Sequence, residues 1–172
     1  MPNYIRNKVY GGKYFFTVVT NKRIKFFLDQ DNVGNLYKAI KRVQKRQPFE
    51  LLAYCILPDH WHLLLSLPEA DNSYSQKIRE IKRLTTYSLR KSMGIPELMI
   101  WQNRYWEHTI RDENDLINCF NYIHYNPVHH QLVKLPEQWK WSSYCDYYQD
   151  MPEHRPIIDP RKFEKGKGIY GE

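Results

Sequence analysis

The chain has 172 residues, a formal net charge of +7, 42% hydrophobic and 26% charged residues, which suits one domain with a packed core and excludes wholesale disorder. It holds no run of about 18 uncharged apolar residues, and residues 1–6 lack the apolar stretch of a signal peptide, so a soluble, cytoplasmic protein is expected. After Gly11-Gly12, the aromatic and β-branched run Tyr14-Phe15-Phe16-Thr17-Val18-Val19-Thr20 predicts a first strand. Asp29-Gln30-Asp31 then predicts a helix start, with Val33, Leu36, Tyr37, Ile40 and Val43 at helical spacing behind it. Residues 49–57 predict a second strand, Pro58-Asp59 a short turn and residues 60–67 a third strand, together a tight antiparallel hairpin. Asn72-Ser73 predicts the cap of a second helix carrying Ile78, Ile81, Leu84 and Leu89 on one side and ending near Gly94-Ile95-Pro96. Residues 105–110 predict a fourth strand, and Asp112 the cap of a third helix running to about Asn126, where Pro127 follows.

The order β-α-β-β-α-β plus a helix predicts an α+β fold of the ferredoxin-like, split βαβ kind. It has a four- to five-stranded antiparallel sheet with helices on one face and the extra helix across or beside it. Residues 1–148 read as one domain, and residues 149–172, with three prolines and several charges in the stretch after residue 150, as an irregular or partly disordered tail. Cys55, Cys119 and Cys145 are odd in number and widely spaced with no C-x-x-C, which predicts buried free thiols and argues against a disulfide framework. The basic balance makes a polyanion a plausible partner, and a 15% aromatic share offers faces for unpaired bases, although core packing claims most of those rings.

Two groups of residues carry candidate chemistry. In His60-Trp61-His62, strand alternation puts both imidazoles on one face, roughly 6.6 Å apart along the chain, suited to one shared cation, while Trp61, Leu63, Leu65 and Leu67 face the core. Two histidines are too few for a structural zinc site, so a further ligand must come from elsewhere. Near the end of the third helix, Tyr122 and Asn126 are four apart and share a face, so both can reach one centre. Asn126 offers a neutral oxygen ligand, and Tyr122 a phenol that needs a polarised acceptor to act as a nucleophile. A divalent cation held by two imidazoles and a carboxamide keeps open positions that a scissile phosphate can fill.

These blocks, with Gly11-Gly12-x-Tyr14-Phe15-Phe16-Thr17, Leu57-Pro58-Asp59-His60-Trp61-His62, Arg79-Glu80-Ile81-Lys82, Trp101-Gln102-x-Arg104-Tyr105-Trp106-Glu107-His108 and Tyr122-Ile123-x-x-Asn126-Pro127-Val128, resemble the REP-associated tyrosine transposases. That group lies within the single-tyrosine HUH transposase superfamily, near the IS200-type enzymes, and the resemblance spans roughly residues 4–145. It implies His60, His62 and Asn126 as ligands of Mg²⁺ or Mn²⁺ and Tyr122 as the nucleophile. The implied activity is metal-dependent cleavage and strand transfer of single-stranded DNA at REP-type hairpins, through a covalent 5′-phosphotyrosine. Spacing alone leaves Tyr125 in competition with Tyr122, and the family register prefers Tyr122. His124 lies about 200° from Tyr122 on a helical wheel, a poor position for a base.

Lys13, Lys82, Arg83, Arg104 and Arg111 are candidate phosphate contacts, and Trp101 and Tyr105 candidate stacking surfaces, for hairpin or single-stranded DNA. The expected partner is therefore DNA and not a membrane, with the protein cytoplasmic and nucleoid-associated. It is expected to act as a monomer or homodimer. A non-catalytic, domesticated hairpin-binding protein is the alternative reading, and an RNA-binding module using the open sheet face is a third.

Overall fold

A computed structural model of the protein describes residues 7–148, so the expected tail over residues 149–172 lies outside the described residues. Strand β1 (Lys13–Val19) pairs antiparallel with β3 (His60–Ser66) on one side and β4 (Trp106–Thr109) on the other. Strand β2 (Glu50–Ile56) pairs with β3, which gives the order β2-β3-β1-β4. Cys55 makes an isolated antiparallel bridge to Ser142, the Ile56 N–H donates to the Trp141 carbonyl at 2.9 Å, and the Ser143 N–H donates to the Tyr54 carbonyl at 3.0 Å. This short segment covers the outer edge of β2, so the expected range of four to five strands is met by four plus a bridge.

Helix α1 (Gln30–Arg46) starts where the Asp29 carboxylate accepts from the Asp31 N–H at 2.8 Å. Helix α2 (Tyr74–Met93) stops at Gly94, whose φ of +69° a side chain would oppose. Both helices cover the sheet face formed by Tyr14, Phe16, Val18, Trp61, Leu63 and Leu65. Burial of each large apolar side chain there contributes about 1.5–3 kcal/mol. The alternation expected for β3 holds, because Trp61, Leu63, Leu65 and Leu67 enter that core while Leu64 enters a second one on the opposite face.

Helix α3 (Glu113–His129) forms the second core, laying Cys119, Tyr122 and Ile123 against Phe15, Ala53, Cys55 and Leu64. It extends past its expected end, with Pro127 inside its last turn. The Gln131 N–H reaches the Val128 carbonyl at 2.9 Å and the Leu132 N–H reaches the Pro127 carbonyl at 3.0 Å, so the helix end is closed beyond the proline by a Schellman arrangement. The residue in its left-handed position is Gln131, at φ +57°. Left-handed strain of about 1–2 kcal/mol outweighs the entropy of a glycine, about 0.5–1 kcal/mol. Gln131→Gly should therefore stabilise the fold by about 0.5 kcal/mol, read as a higher urea midpoint at unchanged m. Among the described residues, no helix is long and apolar enough to cross a membrane.

Candidate active site

The face of the sheet under α3 brings His60, His62 and Tyr122 together within one chain. Register opposes Thr17 and Cys55 to His62, within the sheet, and Val19 to His60, at the start of β3, and both histidines lie beneath the helix. The His60 and His62 rings are 5.0 Å apart and nearly perpendicular, and the Tyr122 ring lies 5.3 Å from that of His62. Phe15 fixes both partners, stacking on His62 at 5.5 Å and meeting Tyr122 edge-on at 5.9 Å. His60, His62 and Asn126 are at most 1% exposed and Tyr122 is 5% exposed, so all four are buried between the sheet and α3.

Each imidazole has its Nδ1 engaged. His62 Nδ1 lies 3.0 Å from Thr17 Oγ1, and His60 Nδ1 lies 2.7 Å from Asp59 Oδ1. Nε2 is thus the nitrogen each ring has to offer a cation, and Asp59 and Thr17 orient the rings from behind. Burial opposes ionisation of Asp59, but the His60 hydrogen bond and the neighbouring Arg23 guanidinium together hold its carboxyl below the usual range. Arg23 Nη1 is 3.6 Å from Asp59 Oδ2. The turn itself is pinned by the Thr20 N–H and hydroxyl, both donating to the Asp59 carbonyl at 2.9 Å.

Asn126 sits one turn beyond Tyr122 on α3, and the His130 N–H donates to its carbonyl at 3.0 Å. The exposed His130 ring packs 5.0 Å from the ring of His60, which brings the end of α3 over the first imidazole. Two imidazoles, a carboxamide and a nearby phenol, all buried, are a donor set that fits a divalent cation with positions left for oxygen ligands. Sequence reading singled out the histidines, Tyr122 and Asn126 but missed Asp59, Thr17 and His130. Asp59 adjoins the pair in sequence and so was within reach, whereas Thr17 and His130 become neighbours only through strand register and helix packing.

His124 is on the other side of α3. Its Nε2 lies 2.8 Å from Ser143 Oγ, and its ring packs against Phe120 and Tyr144 at 4.5 and 5.6 Å. Burial pushes its pKa down to about 3. A base whose folded pKa is depressed contributes stability that is fully present above its unfolded pKa of about 6.5 and is lost as pH falls towards 3. Stability should drop by about 2 kcal/mol between pH 7 and pH 5, and His124→Phe should flatten that part of a urea-midpoint profile.

The remaining candidates are dispersed. Lys13 is exposed at the start of β1, beside a cleft that also holds Gly11, Gly12 and Arg111. Arg111 is exposed and ion-paired to Asp115 at 3.2 Å, and Arg104 is exposed before β4. Lys82, Arg83 and Tyr105 belong to the side carrying α2, across the sheet from the histidines. There Lys82 Nζ donates to the Gln102 carbonyl at 3.1 Å and lies 6.0 Å over the Tyr105 ring, and Arg83 pairs with Glu80 at 2.7 Å. Trp101 is 8% exposed and packs between Phe27 and Trp61, with its Nε1–H donating to Thr86 Oγ1 at 3.0 Å, so its ring is core in this conformation and presents no open face to a base.

Residues 8–126 match the family model described as Transposase IS200 like. The chain belongs to that family. The REP-associated tyrosine transposase of Escherichia coli (strain K12) is 38% identical over 145 residues, covering 84% of this chain and 83% of that protein. A Haemophilus influenzae (strain ATCC 51907 / DSM 11121 / KW20 / Rd) protein assigned to the same group is 43% identical over 152 residues, covering 84% and 86% respectively. Among solved structures, a REP-associated tyrosine transposase bound to a REP hairpin superposes with a TM-score of 0.75 at 35% identity, covering 93% of this chain and 90% of that one. This IS200-like transposase therefore has both the fold and the group expected from its sequence blocks.

Proposed function

We propose that this IS200-like transposase is a divalent-metal-dependent nuclease and strand transferase for single-stranded DNA at REP-type hairpins. The observation that supports the reading most is the meeting of His60, His62 and Tyr122 on one buried sheet face, with Asn126 one helical turn away. The hairpin carried by the structural neighbour supports the substrate class. His60, His62 and Asn126 would hold Mg²⁺ or Mn²⁺, which supplies charge stabilisation at a phosphoryl oxygen.

The chain's own part is to aim the nucleophile. Phe15 and His62 confine the Tyr122 ring, so the phenol has little rotational freedom to lose on reaction. The Tyr122 oxygen forms a bond to phosphorus while the bond from phosphorus to the 3′ oxygen breaks. The phenolic proton is released, the departing 3′ oxygen takes up one proton, and the products are a 5′-phosphotyrosine and a 3′-hydroxyl. Attack by a 3′-hydroxyl on that phosphotyrosine runs the same exchange backwards and rejoins strands, with no external energy source.

The test is covalent capture. A labelled oligonucleotide carrying a hairpin and a single-stranded flank is incubated with the protein and Mn²⁺ and run on a denaturing gel. The expected result is a cation-dependent band of slower mobility that protease digestion collapses. Hairpin binding with no such band under any divalent cation would point instead to a domesticated binding protein, and a strict requirement for a 2′-hydroxyl would point to RNA.

A further inference from the structure

A second group of donors lies at the other end of the same helical face. Asp115, Cys119, Tyr122 and Asn126 follow one another at spacings of four, three and four residues, so they form one stripe on α3. Opposite Asp115, on the edge strand, His108 Nε2 lies 2.9 and 2.8 Å from its two carboxylate oxygens. The imidazole nitrogen, carboxylate oxygen and thiol sulfur of His108, Asp115 and Cys119 all fall within 4.8 Å of one another.

We propose that His108, Asp115 and Cys119 form a second metal site, selective for zinc-class ions and separate from the site at His60, His62 and Asn126. Asp115 and Asn126 are eleven residues apart on α3, about 16 Å along its axis, so one ion does not serve both groups. The donor types differ in kind as well. A thiolate with an imidazole selects zinc-class ions, whereas two imidazoles with a carboxamide and water suit Mg²⁺ or Mn²⁺ better. Two ligands one helical turn apart, faced by a third from a strand, leave the fourth tetrahedral position for water, which is the open form of a zinc site.

The surroundings favour this arrangement. The Arg111 N–H donates to Asp115 Oδ2 at 3.0 Å and the Arg111 Nε–H to the same oxygen at 3.2 Å, which fixes the carboxylate beside His108. The Asp112 carboxylate accepts from the Asp115 N–H at 2.8 Å, so the first turn of α3 is already fixed. His108 stacks on Trp106 at 5.8 Å with an 18° interplanar angle, which sets its ring plane. On coordination the Cys119 thiol proton is released to solvent and the proton that His108 Nε2 shares with Asp115 is given up, leaving the imidazole proton on Nδ1 so that Nε2 can bind. The occupied site would tie α3 to β4 seven residues before Tyr122, holding the helix that carries the phenol.

Cobalt titration of the full-length protein tests this independently of DNA cleavage, with Co²⁺ as the spectroscopic substitute for Zn²⁺. The expected spectrum has a sulfur-to-cobalt charge-transfer band in the near ultraviolet and strong tetrahedral bands in the visible, saturating at one equivalent and displaced by Zn²⁺. The proposed ligands His60, His62 and Asn126 include no sulfur, and Cys119→Ala tells a band from Cys119 apart from one given by Cys55, which register places opposite His62. Cys119→Ala should remove the charge-transfer band, and His108→Gln and Arg111→Ala should each weaken Zn²⁺ binding by roughly ten- to a hundredfold. Far-ultraviolet circular dichroism checks that each variant remains folded. The proposal is overturned if the wild-type protein gives no charge-transfer band, if the band survives in Cys119→Ala, or if folded His108→Gln binds Zn²⁺ as tightly as wild type.

Discussion

Tyr122→Phe should bind hairpin DNA as well as the wild-type chain and form no covalent adduct. The substitution removes one oxygen from a ring that is 5% exposed and held by Phe15 and His62, so packing is almost unchanged while the attacking atom is gone. Removal of a nucleophile that acts as a unit with its surroundings costs about 10⁶-fold in rate, which places residual cleavage below detection on a gel. Tyr125→Phe is the companion measurement. It lies three residues on, is half-buried, and should retain adduct formation within a few fold. If the pattern is reversed, with Tyr125→Phe inactive and Tyr122→Phe active, the nucleophile is misassigned.

His60→Ala should abolish cation-dependent cleavage, with a loss of at least about 10³-fold, equivalent to about 4 kcal/mol of transition-state stabilisation. The strand survives, because β3 is held by pairing on both sides and by the core residues of its other face. Asp59→Asn gives the informative contrast. It leaves the imidazole in place but weakens its orientation through Nδ1, so the cation should bind about 10- to 100-fold more weakly and cleavage should recover at high Mn²⁺. Excess cation should rescue neither His60→Ala nor Tyr122→Phe. Measuring cleavage against Mn²⁺ concentration for the three variants therefore separates loss of a ligand, loss of its orientation and loss of the nucleophile. Normal cleavage by His60→Ala would sink the metal assignment.

Much of this was legible in the residues because strands and helices have different periods. Alternation in residues 60–67 placed the histidines opposite Trp61, and the four-residue spacing of Tyr122 and Asn126 placed them on one helical face. The register shift in β2 between Leu51 and Ala53 left no local signal, since a bulge depends on the partner strand as much as on its own sequence. The end of α3 was misread because Pro127 looks like a stop. The hydrogen bonds that close the helix past it come from Gln131 and Leu132, which composition does not mark. The sequence offers Trp101, with Tyr105, as a ring on which bases could stack. The place of Trp101 between Phe27 and Trp61 follows from how the segment before β4 crosses the core, which is a tertiary matter.

The burial of both imidazoles beneath α3 bears on how the proposed activity would choose its targets. On the proposed reading a phosphate has to reach imidazoles that are at most 1% exposed, and any work of uncovering them would come from contacts made elsewhere along the bound strand. A short oligonucleotide lacking the hairpin would be discriminated against in turnover at saturation and not only in occupancy, since it cannot supply that work. Latency of this kind would leave the idle protein harmless to stray single strands.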